Sequence, residues 1–396
     1  MKNKKDELKK LLLLIFSFIF SIYLIELLLS LNKFIEQKHL FSPSNNDLFQ
    51  KEKRTNFEVY YDLKKNNIKS IFKISYNESF RDRFYLKSNK SLIPLSGRSY
   101  FETIHCNESD FWAIYRSDRY GFNNPDYEWD KKESILLVGD SYVHGACVLE
   151  KDTISGQLRF LLNNNFPIIN LGTDGKGPLS QFATIKEYSS LTRPKVILWF
   201  YYEGNDLLDL QTELKNKILS KYFFLEDFDQ ALKDKQTEID LVLDEMFLDA
   251  TEGLSKSRFF RFLKLRFVME FIKKTENIIS NSQNNKILNT TLKDLEKVLE
   301  KTKKYSENNN IKLVFVYLPQ PHRFLDSYNE NYGYNYYLDI NSIIKKLDIP
   351  MIDIYKEVFL KYEDPKKLFP FKKINHYNAI AYNLIANKIY ESLVLK

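Results

Sequence analysis

The sequence predicts an α/β protein with a parallel sheet covered by helices on both faces, preceded by a transmembrane helix and a small β-rich accessory region. Three observations carry this. Five short apolar runs recur from Ser134 onward, segments with helical spacing separate them, and an unbroken apolar stretch lies near the start. A length of 396 residues suits two or three folded units. With 44% apolar and 28% charged residues, the chain is neither disordered nor collagen-like. Two cysteines exclude a disulfide-dense scaffold and a Cys-based zinc finger. The net charge of +7 is partly local, since the first 40 residues hold seven lysines against four acids. The rest is too even for a nucleic-acid binder.

Residues 1–10 form a basic tail and residues 11–31 an apolar span, LLLLIFSFIFSIYLIELLLSL. As a helix this span reaches ~31 Å, about one hydrocarbon core. Its one charge, Glu26, lies near the far end, where it can snorkel to the headgroups. Five lysines precede the span and only Lys33 and Lys38 follow closely. The positive-inside bias therefore predicts a cytoplasmic N-terminus and a single-pass protein of the inner membrane, with the remainder on the periplasmic side. The rival is a cleaved signal peptide, but the run is long and no small-x-small site follows it.

Residues 32–130 are rich in Tyr, Phe, Asn and Ser, and the alternating runs Phe57–Tyr61 and Ser70–Ser75 read as strands. From Ser134 the runs SILLV, PIINL, VILWFYY, IKLVFVYL and PMIDI read as buried parallel strands. Leu288, Leu292, Leu295 and Leu299 mark one face of a helix between the third and fourth runs. A mostly helical insertion occupies about 207–285, with the apolar cluster Phe259, Phe260, Phe262 and Phe267. It reads as a packed subdomain or as a lid.

Six of the eleven glycines, Gly139, Gly145, Gly172, Gly175, Gly177 and Gly204, lie within 66 residues, each just after one of the first three sheet strands. Ligands of open parallel sheets bind at the carboxyl ends of strands, so three glycine-bearing loops meet at one edge. The polar groups delivered there suit acyl transfer. Gly139-Asp140-Ser141 places a serine between a strand and a helix, Asn170 to Gly177 can aim a bare N–H inward, and Gly204-Asn205-Asp206 offers an amide. A base is supplied by His376, in a loop that opens the last helix and returns to the same edge.

GDS at 139–141, NLGxxGxG at 170–177, GND at 204–206 and HYN at 376–378 resemble the four blocks of the SGNH (GDSL-type) hydrolases. The resemblance covers about 131–396, and the run Asp118 to Asn124 is similar to the lead-in of membrane-anchored bacterial members. It implies a flavodoxin-like sandwich around a five-stranded parallel sheet. It also implies Ser141 as nucleophile, His376 as general base, and an oxyanion hole of the Ser141 N–H, the Gly175 N–H and the Asn205 side chain.

One position departs from the family pattern. The acid expected two or three residues before the histidine is replaced by Lys373 and Ile374. Three readings follow: a Ser–His dyad with a backbone carbonyl on Nδ1, a substitute carboxylate such as Glu363 or Asp364, or a weak or inactive site. His144 sits on the nucleophile's own loop-helix, so its ring is expected to point elsewhere, while His322 follows the fourth strand and can line the pocket. Asp140 and Asp206 read as loop braces. Cys106 and Cys147 read as a disulfide or as two buried thiols. No His, Asp or Glu group has metal-ligand spacing, and no cofactor is expected. The function expected is a membrane-anchored serine esterase acting on O-acyl esters of envelope glycans or lipids. The alternatives are an O-acyltransferase to a glycan and a non-catalytic glycan-binding or assembly protein.

Overall fold

The computed structural model describes residues 2–40, 52–73, 92–163, 165–255, 265, 268–269, 272, 284–325 and 333–394. The chain divides into two compact units, Met1–Thr55 with Leu248–Lys286, and Asn56–Phe247 with Ile287–Lys396.

In the first unit, α1 (Lys2–Leu40) contains the stretch Leu12–Leu29, long and apolar enough to cross a membrane, with a mean hydropathy of 2.6. Glu26 does not reach out along this helix. It is buried and accepts a hydrogen bond from the Val268 backbone amide at 2.7 Å, so its partner is the protein's own chain. Phe259, Phe260, Phe262 and Phe267 lie outside the described residues.

The second unit opens with α2 (Asn56–Lys65). The alternation at Phe57–Tyr61 read as a strand, and here it is helical. Glu58 in the first turn with Lys64 and Lys65 in the last suits the helix dipole, and Phe57 and Tyr60, three apart, share a face. Their rings pack on Phe72 and Phe247, each at 5.1 Å. A small sheet follows: β1 (Ser70–Phe72) pairs parallel with β2 (Glu102–Ile104), which pairs antiparallel with β3 (Ile114–Arg116). Among its described residues the accessory region holds one helix and a three-stranded sheet.

The main sheet comprises β4 (Ile135–Val138), β5 (Ile168–Asn170), β6 (Val196–Tyr202), β7 (Lys312–Leu318) and β8 (Met351–Asp353). Its order is β5-β4-β6-β7-β8, all parallel, which is the five-stranded sandwich expected of the SGNH fold. The connecting helices are α3 (Ser141–His144), α4 (Ile154–Leu161), α5 (Pro178–Tyr188), α6 (Asp206–Lys215), α7 (Leu219–Phe224), α8 (Gln236–Ser255), α9 (Asn284–Asn308), α10 (His322–Leu325), α11 (Tyr337–Lys346), α12 (Ile354–Glu357) and α13 (Ala379–Val394).

Strand side chains alternate between faces, so each buried run must feed two cores. Leu136, Ile197, Trp199, Phe315 and Tyr317 enter one, with residues of α5, α6, α7, α9 and α11. Ile135, Leu137, Leu198, Phe200, Val314 and Val316 enter the other, with α4 and α13. This two-sided burial is why the runs show no polar alternation. Leu210, Leu219, Tyr222, Ile239 and Leu243 join the first core, so residues 206–247 of the expected insertion pack as part of the sandwich. Leu198 is fully buried on the central strand. Leu198→Ala is expected to lower stability by about 3 kcal/mol, read from the urea midpoint at constant slope.

Candidate active site

Ser141 is the first residue of α3, directly after β4. Asp140 caps this turn through its carboxylate, which accepts from the Tyr142 N–H at 2.9 Å. Burial pushes the Asp140 carboxyl up to about 7. Asp206 plays the matching part after β6, accepting from the Tyr202 N–H at 3.0 Å. Both are the braces the sequence suggested.

His376 lies between β8 and α13 in sequence, more than 200 residues from the serine. Its Nε2 stands 3.0 Å from Ser141 Oγ. Tyr377 is fully buried next to it and bonds the Pro319 carbonyl, which anchors the loop to the end of β7. The Tyr142 ring packs against the imidazole at 4.9 Å between centroids.

The ring's other nitrogen has a carboxylate, and it comes from the accessory region. Glu108 Oε1 lies 2.9 Å from His376 Nδ1, and Oε2 accepts from the His376 backbone N–H at 2.7 Å. One side chain therefore fixes both the ring and the backbone of the histidine. Of the readings for the missing acid, a substitute carboxylate is the one found, but it is Glu108 and neither Glu363 nor Asp364, and no backbone carbonyl holds Nδ1. Asp364 instead caps a local turn through the Lys366 N–H and pairs with Lys372 at 3.0 Å. Burial pushes the His376 imidazolium down, but the charge and hydrogen bond of Glu108, with Asp174 and Asp140 beyond, hold its pKa above the ordinary histidine value.

Cys106, two residues before Glu108, is disulfide-bonded to Cys147, three residues past the end of α3. The staple ties the Glu108 loop to the segment that follows the Ser141 helix. Of the two readings for the cysteines, the disulfide is the one found. This pairing was the signal in the sequence for Glu108: a bridge to Cys147 brings residue 108 to the serine.

The lead-in run locks the same edge. Asp118 accepts from the Tyr120 and Phe122 N–H groups, Asn124 Nδ2 and Trp129 Nε1 at 2.7 to 2.9 Å. Asn123 Nδ2 donates to the His144 carbonyl and Asn124 Nδ2 to the Asn170 carbonyl, each at 3.0 Å. The run thereby holds the ends of α3 and β5 together.

Gly175 has φ +71°, in the left-handed region where a side chain is strained. Gly172 rests on α3, and a Cβ there would stand 2.4 Å from the His144 nitrogen. Asn205 immediately precedes α6, and its amide donates to Asp209 Oδ2 at 2.8 Å. The His144 ring turns to Asp174, whose Oδ1 lies 2.8 Å from its Nδ1. His105 Nε2 lies 2.7 Å from Oδ2 of the same carboxylate. These three residues, far apart in sequence, form a cluster that linear spacing does not reveal. His322 opens α10, and the Ser141–His376–Glu108 line is built without it.

No family model and no curated protein matches the chain. Solved structures similar to it include a lipolytic protein of the G-D-S-L family from Desulfitobacterium hafniense, at 12% identity over 65% of this chain and 98% of that one, TM-score 0.37. The acetyl xylan esterase AlAXEase is similar at 12% identity over 66% of this chain and 100% of its own, TM-score 0.38. A lipase/acylhydrolase from Enterococcus faecalis is similar at 10% identity over 66% and 95%, TM-score 0.38.

Proposed function

We propose that the chain is a serine esterase of SGNH type that works through an acyl-serine. The single observation that carries this is the line Ser141 Oγ, His376 Nε2, His376 Nδ1, Glu108 Oε1, with successive contacts of 3.0 and 2.9 Å. A serine, a base within hydrogen-bond reach and an acid orienting the base are what acyl transfer needs.

In this reading the His376 Nδ1–H donates a hydrogen bond to the Glu108 carboxylate, which keeps the proton on Nδ1 and leaves the Nε2 lone pair facing the serine. His376 takes the Ser141 proton as Oγ attacks the ester carbonyl carbon. The Ser141 N–H, the Gly175 N–H and the second amide hydrogen of Asn205 stabilise the oxyanion. The C–O bond to the alcohol breaks, and the alcohol leaves with the proton from His376. Water, or an acceptor hydroxyl in the transferase alternative, then attacks the acyl-serine, with His376 again as base. A binding or assembly role alone does not call for an imidazole clamped at both ring nitrogens.

The substrates we propose are O-acyl esters of envelope glycans or lipids, and the site we propose is the periplasmic side of the inner membrane. The apolar stretch Leu12–Leu29 supports a membrane location. The disulfide supports a non-reducing compartment. The test is a fluorophosphonate probe on the full chain. The expected result is one adduct at Ser141, blocked by prior p-nitrophenyl acetate and absent in Ser141→Ala. An unlabelled wild-type protein rejects the nucleophile. Faster acyl transfer to a glycan hydroxyl than to water would select the transferase.

A further inference from the structure

We propose that His105 and His144 are positioning residues: they clamp Asp174 between them and so fix the loop that presents the Gly175 N–H to the oxyanion. This rests on the esterase reading above and adds to it a pair of residues outside the Ser–His–Glu line.

The geometry is specific. His105 follows β2 of the accessory sheet, and His144 ends α3. Their rings stack at 4.3 Å and 25°, and each gives one nitrogen to a different oxygen of Asp174. Both side chains are more than nine-tenths buried. The edge of Tyr115 closes the stack, 5.0 Å from the His144 ring. Asp174 immediately precedes Gly175. Two further ties run to the Ser141 turn: the Thr173 N–H donates to the Gly139 carbonyl at 3.3 Å, and Gly172 sits against the His144 backbone.

Three His and Asp groups this close also suggest a metal, and the hydrogen-bond inventory argues against one. A ligating histidine normally passes its other ring N–H to an acceptor. His144 Nε2 is buried with no hydrogen-bond partner. With a metal on Nδ1 that atom would be an orphaned N–H. With Nδ1–H donated to Asp174 it is only a lone pair, the better tolerated vacancy. Burial, with the Lys73 charge nearby, pushes the His144 pKa down to about 3, so this ring stays neutral. Asp174, despite its burial, is held well below the usual carboxylate range by the two histidines. A ring nitrogen on each oxygen of the carboxylate is a complete arrangement without any ion.

The donors differ in position, which gives a crossed test. An Asn amide nitrogen overlies a histidine Nδ1, and a Gln amide nitrogen overlies Nε2. His144→Asn and His105→Gln therefore keep the donor, whereas His144→Gln and His105→Asn lose it. The first pair is expected to stay within about threefold of wild-type kcat, and the second pair to fall by about 10- to 100-fold with little change in KM, as for a misplaced oxyanion donor. Equal loss in all four, or none in any, overturns the clamp. So does stoichiometric zinc in the purified full chain with chelator-sensitive turnover. An independent readout is ¹⁵N NMR of the histidine rings, expected to show His144 protonated at Nδ1 and His105 at Nε2. The reverse tautomer of His144 overturns the clamp even if Ser141 labels normally. An unlabelled Ser141 beside the expected tautomers would instead fault the esterase reading and leave the clamp standing.

Discussion

Glu108→Ala is expected to reduce p-nitrophenyl acetate turnover by roughly 10³ to 10⁴, the scale on which a serine triad depends on its acid. The side chain makes two contacts with one residue, at 2.9 Å to the ring and 2.7 Å to the backbone of His376. Its loss removes the acceptor that selects the Nδ1–H tautomer and loosens the loop at the same time. Glu108→Gln is close to isosteric and separates shape from charge. It offers one acceptor and one donor where two acceptors are required, so one face meets an N–H it repels. Its rate should fall nearly as far as that of the alanine variant. Turnover of Glu108→Gln within tenfold of wild type would return the site to a dyad.

The charge of Glu108 also sets the pH profile. The base must be neutral, so activity rises with pH through the His376 pKa, and that pKa is raised largely by Glu108. Removing the negative charge lets the imidazolium lose its proton more easily. The acid limb of Glu108→Gln should therefore move to lower pH. The change is readable from the pH dependence of fluorophosphonate labelling even when turnover is slow. A limb that moves up, or stays in place, contradicts the assignment.

The main sheet was legible because its physics is local. VILWFYY is apolar on both faces, as a strand buried between two helical layers must be, and it forms β6 with the bounds read from sequence, Val196–Tyr202. Ser141 and His376 were legible through the loops after strands, where topology alone brings them to one edge. Phe57–Tyr61 misled because alternation over five residues also fits a helix whose aromatics stand three apart. The surroundings of Phe72 and Phe247, which favour the helix, are not in that segment. Glu108 and the His105–Asp174–His144 cluster were illegible for a related reason. The resemblance begins near residue 131, while half of this chemistry is delivered from upstream of it. Nothing in the spacing of residues 105, 108, 144, 174 and 376 points to contact; only the pairing of Cys106 with Cys147 would have.

That pairing should have the second large effect. The bridge spans a sequence separation of 41 residues. Closing a loop of that length removes enough unfolded-chain entropy to stabilise the fold by about 4 kcal/mol. The double variant Cys106→Ser/Cys147→Ser should therefore show a much lower urea midpoint at unchanged slope. It should also be slow under conditions where it remains folded. Cys106 lies two residues from the acid and Cys147 six from the nucleophile, so freeing the bridge frees Glu108 relative to Ser141. A kcat loss of about 10²-fold is the scale for a catalytic group displaced by about an ångström. The two losses share a cause, and so they should not add. Glu108→Ala placed in the bridge-free background should cost less in kcat than it does in the wild type, whereas its effect on the urea midpoint should be about the same in both. Full coupling in rate with none in stability identifies the disulfide as a device that positions the acid. A bridge-free enzyme that is destabilised yet turns over at the wild-type rate would reduce it to a simple staple.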